Sequence, residues 1–376
     1  MEKKRKRIGI LFNFSPTWMG GVVYVLNIVK VLNYLEDKDK PRVYVFYNPN
    51  LKRFVDEIDY PFLEKIEWKY PSVYKTFLKS FLTRKNLFVD PIIAKYKLDA
   101  VFPLHDYPVE SRSNSQLVSW YADLQHLYYP EFFKKVKIFE RNLRIKLILK
   151  NSKDLVVSSH AVKDDFHTFF KVPKSLKIHV YHFVSIIDDF PTGNFEEIRN
   201  AHNLPEHYFM ISNQFHKHKN HKVAFEAIAV LQKKKTKANL VLTGKLPEDD
   251  GSEYVTNLKT VLTENILEDQ IYFLGVLPRH IQLAIMKNAT AIIQPSLFEG
   301  WSTVIEDAKS LQVPVIASDL KVNREQLGDT GTYFEPHNAT NLAELLEVAT
   351  KPTSDLYEDY HLRVKKAAYE LFAIFK

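Results

Sequence analysis

Between positions 294 and 318 the chain reads QPSLFEGWSTVIEDAKSLQVPVIAS, which places Glu299, Gly300, Trp301, Ser302, Thr303, Glu306 and Asp307 within nine residues. An apolar run over Ala291–Ile293 ends just before this stretch, and a helix-like segment follows it. The pattern predicts strand, loop, helix and strand, with the polar groups gathered at the strand-to-helix turn. Ionised carboxylates only accept hydrogen bonds, which suits sugar hydroxyls. The first N–H groups of a helix have no intrahelical partner and carry partial positive charge, which suits a phosphate. Both chemistries at one turn predict a ligand that carries phosphate and hydroxyls. Thr303 with Glu306 three residues on predicts a capping box with Thr303 as N-cap. A structural alternative stands beside this, in which Glu306 only caps and Asp307 only complements the helix dipole.

A second cluster, NQFHKHKNH from Asn213 to His221, follows the apolar run Tyr208–Ser212. Gln214, His216, Lys217 and Lys219 bunched after a strand form a natural cradle for a diphosphate. Three histidines in six residues also raise a metal site. The stretch lacks carboxylate and cysteine ligands, and the spacing suits zinc poorly, so no metal is expected. His126 follows Asp123 after the strand predicted at Leu117–Tyr121, well placed either to meet a ligand or to serve the core. Gly20 and Gly21 stand between a strand at Ile8–Phe12 and the helical spacing of Val22–Leu35, where a backbone can approach a bulky ligand. Two adjacent glycines are not a dinucleotide fingerprint, so an ordinary loop is the alternative. Gly244 after Leu240–Thr243, and Gly275, Val276 and Leu277 after Ile271–Leu274, repeat the strand-and-glycine pattern.

These units, with strands also predicted at Val43–Tyr47, Ala100–Pro103 (leading to His105 and Asp106) and Leu155–Val157, predict an α/β fold of doubly wound parallel sheets. Ligands in such sheets bind at the carboxyl ends of the strands. A helix is predicted over Phe132–Lys150, and Ser158 and Ser159 offer a cap for the next one. At 376 residues two domains are expected, 1–188 and 189–357, with a linker around Pro191, Thr192 and Gly193. Hydrophobic residues at 45% supply cores for both. The absence of cysteine excludes disulfides and fits a reducing, cytoplasmic setting. The start MEKKRKR followed by IGILFNF imitates a signal peptide, but Asn13, Ser15 and Pro16 break its apolar part, so a basic tail leading into a strand is expected. No run of about 18 apolar residues suggests a membrane span. The net charge of +7 suits anionic partners: nucleotide diphosphates, lipid surfaces or nucleic acid. Tyr70–Asp90 alternates basic and apolar residues, which fits either an amphipathic helix with a solvated face or a segment lying on the inner face of a membrane or gripping an acceptor.

Taken jointly, the glycine turn, the Lys219 loop, the Leu274 turn and the Glu299 loop resemble the retaining glycosyltransferases of the GT-B fold, family four. The resemblance covers the whole second domain and the first only patchily. It implies two facing Rossmann-like domains with a central cleft and a last helix, within 358–376, that crosses back to the first domain. It implies that Glu299 contacts the donor sugar, that amides at Gly300, Trp301, Ser302 and Thr303 hold the diphosphate, and that a second carboxylate takes the ribose. The family's register puts Asp307 at that position, with Glu306 one residue early. Lys219 fits the family's diphosphate lysine, while Gln214 stands where an arginine belongs, leaving Lys217 or His216 to supply charge. Main-chain groups at Val276 and Leu277 would face the nucleobase, Gly20 and Gly21 would lie near donor and acceptor, and His126 would contact the donor sugar. The implied function is transfer of a hexose, for example mannose, from a nucleotide-diphosphate sugar to a glycan or lipid-linked glycan in surface polysaccharide synthesis. The nucleotide sugar is substrate and no cofactor is expected. No Asp-any-Asp pair sits at a strand end, so cations and amides are expected in place of a divalent metal. A nucleotide-sugar epimerase of the same architecture, and a basic membrane- or nucleic-acid-binding protein without catalysis, are the rivals. A binding module has no need of the regular strand-to-glycine turns, so no nucleic acid is expected as partner.

Overall fold

The computed structural model describes residues 5–16, 18–104, 110–187, 195–245, 253–352 and 354–375. His105, Asp106, the linker residues Pro191, Thr192 and Gly193, and the expected domain boundary at 188/189 lie outside the described residues. The chain forms two units, one from residues up to 186 together with those from 361 onward, the other from 187 to 360.

The first unit holds seven strands: β1 (Arg7–Phe12), β2 (Arg42–Tyr47), β3 (Leu63–Glu67), β4 (Ala100–Leu104), β5 (Gln116–Trp120), β6 (Asp154–Val157) and β7 (Lys177–Val180). They form one sheet in the order β3-β2-β1-β4-β5-β6-β7, parallel throughout. The second unit holds β8 (Phe209–Ser212), β9 (Leu240–Thr243), β10 (Ile271–Phe273), β11 (Ala291–Gln294), β12 (Val315–Ser318) and β13 (Thr332–Phe334). Their order is β10-β9-β8-β11-β12-β13, again all parallel. The central strands FMIS, LVLT, AIIQ and VIAS are buried along their whole length, as strands covered by helices on both faces must be. One face of the second sheet packs Ile211, Leu242 and Ile293 against the helix His221–Lys233, and the other packs Met210, Val241 and Ile292 beneath Ile305 and Ala308. The strands missed in the sequence, β3 (LEKIE), β7 (KIHV) and β13 (TYF), all lie at sheet edges, where charged or exposed side chains are tolerated and the apolar signal fades.

Strand order reverses between β1 and β4 in one sheet and between β8 and β11 in the other. Chain leaving two such neighbours departs in opposite directions and opens a crevice at their carboxyl ends. Gly20 and Gly21 sit at the first of these, in the opening turn of the helix Met19–Val31 and not in a loop before it. The Trp18 indole lies so close that a Cβ at Gly21 would come within 2.7 Å of its ring. Tyr70–Asp90 contains one amphipathic helix, Val73–Thr83, closed by Arg84 in a left-handed conformation. The last helix, Tyr360–Ile374, is held to the first unit where Lys6 Nζ and Gln116 Nε2 donate to the carbonyls of Phe375 and Ile374 at 2.8 and 2.9 Å. Among the described residues no helix is long and apolar enough to cross a membrane.

Gly244 ends β9 at φ +135°, its N–H donates to the Gly275 carbonyl at 2.9 Å, and a Cβ there would lie 2.4 Å from the Asn213 carbonyl oxygen. Gly244→Ala is therefore expected to lower unfolding free energy by about 1–3 kcal/mol through backbone strain, plus the cost of displacing the Asn213 loop. Urea denaturation of both proteins measures the difference.

Candidate active site

The loops leaving β8 and β11 are stitched together at the second switch point. After β8, the 3-10 turn Lys217–Lys219 ends at Asn220, which adopts a left-handed conformation that asparagine tolerates and starts the next helix. After β11 the chain turns through Pro295 to Glu299. Leu297 N–H donates to the His218 carbonyl at 2.7 Å, and Asn213 Nδ2 donates to Gln294 Oε1 at 3.0 Å. Lys219 Nζ and Gln294 Nε2 then both donate to Glu299 Oε1, at 2.6 and 2.8 Å. The side chains of Lys219 and Glu299 keep 18% and 10% of their surface, enough to meet a ligand from one side. Burial pushes the Glu299 carboxyl upward, but the Lys219 charge and hydrogen bond, with the Ser296 hydroxyl, outweigh it and hold the group below its usual range.

The other members of the cationic loop divide. Gln214 is exposed and its Oε1 lies 2.9 Å from His216 Nε2, and Lys217 is exposed beside them. His221 is fully buried, stacked on Phe215 at 4.4 Å with Nδ1 3.0 Å from the Tyr254 hydroxyl. Burial, reinforced by the Lys219 charge, pushes its pKa down to about 3, so His221 stays neutral and the positive charge of the cradle rests on the lysines.

The helix Thr303–Ser310 begins one residue earlier than the capping box implies. Ser302 is its N-cap, its hydroxyl accepting from Ile305 N–H at 3.3 Å, and Thr303 is the first helical residue. Gln326 explains the shift. Its Oε1 accepts from Ser302 N–H at 3.0 Å, and its Nε2 donates to the Ser302 carbonyl at 2.8 Å and to Glu306 Oε1 at 2.9 Å. The Ser302 amide is thus occupied within the protein, and the intrahelical pattern leaves the N–H groups of Thr303 and Val304 as the outward donors of the turn. Glu306 has no exposed surface, and its second oxygen accepts from the Tyr360 hydroxyl at 2.8 Å. Asp307, 2% exposed, accepts instead from Arg279 Nη2 at 2.5 Å. Arg279 opens the helix that follows the Gly275, Val276 and Leu277 turn, where Val276 is 75% exposed. Gly300 is half-buried beside the pair, and Trp301 is buried against the domain.

His126 belongs to the first unit, on the short helix Gln125–Tyr128 beyond β5. Its ring is 1% exposed, Nε2 lies 3.0 Å from Asn142 Oδ1, and Nδ1 is buried with no hydrogen-bond partner among the described residues. Burial lowers its pKa, so the ring is neutral near pH 7.

An ion pair, a helix N-terminus and a glycine turn are gathered at the switch point of a six-stranded parallel sheet, where such sheets bind ligands, and a family model matches the stretch of chain that holds them. Residues 194–370 match the family model described as Glycosyl transferases group 1. The match spans the second unit and the first part of the last helix, under half of the chain. The O-antigen chain mannosyltransferase RfbU of Salmonella typhimurium is 24% identical over 218 residues, 57% of this chain and 55% of that protein, so the alignment spans about half the relative's length. A glycosyltransferase crystal structure from Rickettsia africae superimposes with a TM-score of 0.64 at 15% identity, covering 99% of this chain and 96% of the other. Anabaena HepE in complex with UDP-glucose does so with a TM-score of 0.61 at 15% identity, covering 98% and 94%. These likenesses establish the fold: two parallel-sheet α/β domains of the GT-B type.

Within the second unit, Asn213, Gln294, Gln326 and Arg279 are the partners that sequence reading missed. Gln294 had a signal, a polar residue closing an otherwise apolar strand. Gln326 had none, since its three contacts are made 20 or 24 residues away in the chain.

Because the folded-state pKa of Glu299 is depressed, the pair stabilises the fold above the unfolded carboxyl value near 4.5 and loses that contribution as pH falls through the lower, folded value. Lys219→Ala removes the compensating charge and leaves burial opposed mainly by the Ser296 and Gln294 hydrogen bonds, so the variant should be less stable than wild type by about 3 kcal/mol at pH 7. The gap should begin to narrow above pH 4.5, because burial raises the variant's carboxyl, and should go on narrowing until pH falls through the lowered wild-type value. Urea titrations at neutral and acidic pH check both points.

Proposed function

We propose that this chain is a retaining glycosyltransferase that moves a hexose from a nucleotide-diphosphate sugar to a hydroxyl of a glycan or lipid-linked glycan. The observation that carries the reading is the Lys219–Glu299 pair beside the start of the helix Thr303–Ser310. As the bond between the sugar and the diphosphate breaks, negative charge grows on the leaving phosphate, and Lys219 with the Thr303 and Val304 amides supplies fixed positive charge there. Such preorganised stabilisation is the largest single contribution a site of this kind makes. Glu299, held rigid by Gln294, offers a carboxylate to the hydroxyls of the donor sugar. Glu306 has its oxygens engaged by Gln326 and Tyr360 and Asp307 is held by Arg279 at the nucleobase turn, and we assign the ribose contact to Asp307 because the family's register falls on it.

Mannose is the sugar that the name of RfbU favours, and surface polysaccharide synthesis is the setting it favours. The UDP-glucose in HepE favours a nucleotide-sugar donor without fixing the base. Lysines and amides at the diphosphate position favour a reaction that needs no divalent metal and no cofactor, run in the cytoplasm where nucleotide sugars are made.

Thermal-shift measurements with UDP, GDP and ADP identify the base, since a ligand at 100 times its Kd stabilises by about 2.7 kcal/mol. Glu299→Gln keeps shape and hydrogen bonding while removing charge, and is expected to cut turnover by roughly 10²–10³ with the circular dichroism spectrum unchanged. Wild-type turnover in that variant would sink the assignment. Sugar epimerised without any acceptor would replace transfer with the epimerase reading. Activity should survive EDTA, and loss restored by magnesium would reject the metal-free site.

A further inference from the structure

The positive charge of this chain is concentrated on two helices of the first unit. From 73 to 85 there are four basic residues, Lys75, Lys79, Arg84 and Lys85, and no acidic one. From 134 to 150 there are seven basic residues against one acidic, Glu140. The two segments together carry a surplus of ten positive charges, more than the net +7 of the whole chain, so the remainder is slightly acidic.

The same helices carry exposed apolar ridges. On Val73–Thr83, Leu78, Phe81 and Leu82 are 60%, 66% and 72% exposed; on Lys135–Asn151, Val136, Phe139 and Leu143 are 67%, 68% and 43% exposed. Spacings of three, four and seven residues align each set along one side of its helix. The first helix packs inward through Phe77 and Ser80, which adjoin its ridge, and the second through Ile145 and Ile148, which lie opposite its ridge. Six of the sixteen large exposed apolar side chains among the described residues therefore lie on two helices, which is not the scattered exposure of an ordinary surface.

Topology puts both helices on one side of the sheet. The connections from β3 to β4 and from β5 to β6 run in the same direction across it, and right-handed crossovers place their helices on the same face. The register agrees, because Val101 pairs with Leu117 and Ser119 with Leu155, which turns Val101, Leu117 and Leu155 to one face. Phe77 packs in the cluster around Val101, and Ile145 and Ile148 pack in the cluster around Leu155.

We infer that this face of the first unit docks on an anionic lipid bilayer. Phe81, Leu82 and Phe139 enter the boundary between headgroups and acyl chains, while Lys75 and Lys79 flank the ridge with their ammonium groups among the lipid phosphates. A nucleic acid would use the charge but gains little from aliphatic side chains such as Leu78 and Leu82, so the ridges favour lipid. The inference does not depend on the transfer reaction.

Co-sedimentation with vesicles of phosphatidylglycerol and phosphatidylcholine, and with phosphatidylcholine alone, tests it. The wild-type chain should bind the first and not the second, with binding weakened by salt. Each lysine near the surface is worth roughly fivefold in partitioning, so Lys75→Gln with Lys79→Gln should reduce binding about 25-fold. Phe81→Ser with Leu82→Ser should reduce it at least about tenfold while leaving the salt response in place. All four positions are exposed and distant in sequence from the Lys219 and Glu299 loops, so melting temperature and response to nucleotide should match wild type in both variants. Equal vesicle binding by the variants, loss from the charge substitutions alone, or binding to duplex DNA as tight as to the vesicles would each overturn the inference.

Discussion

Removing a lysine and a glutamate from water costs several kcal/mol per ion, and in this chain that cost falls where two strands part. Lys219 and Glu299 offset each other at 2.6 Å, and the hydrogen bond from Gln294 finishes the carboxylate oxygen they share. Neither loop can shift without exposing the other's charge to a dry neighbourhood. The pair therefore fixes the separation of the two loops before a ligand arrives, which is the condition for electrostatic stabilisation that needs no reorganisation.

A second tier holds that geometry from behind. Asn213 steadies Gln294, and Gln326 grips both ends of the Ser302 peptide unit and the Glu306 carboxylate with one amide. Glu306 serves the architecture by tying the helix start to Gln326 and Tyr360, which leaves Asp307 on the side of Arg279 and the glycine turn. Two adjacent carboxylates in the sequence thus have opposite surroundings because successive helical residues point about 100° apart.

The central strands were legible because burial on both faces leaves an unbroken apolar run, as in VYVFY and IGILF. β3, β7 and β13 were not, since an edge strand such as LEKIE bears charged or exposed side chains that read as loop. At the site, the residue types near Lys219 and Glu299 were readable from their position after strands. Their partners were not: Gln326 is an ordinary helical glutamine until folding brings it beneath Ser302, and nothing local distinguishes a buried, neutral His221 from its exposed neighbour His216. The capping residue was misplaced by one for a similar reason, because Thr303 satisfies the local pattern and only the Gln326 contact favours Ser302.

Parallel pairing also has a temporal side. Lys219 and Glu299 are 80 residues apart, with β9 and β10 and their helices synthesised between them. At a synthesis rate of roughly 5–20 residues per second, the lysine loop exists for about 4–16 seconds before its glutamate leaves the ribosome. During that interval β8 has β9 on one side and a bare edge on the other, since β11 has yet to be made. The nascent chain thus passes through a stage with an open strand margin and uncompensated cationic loop, and the arrival of β11 covers the margin and neutralises the loop in a single event.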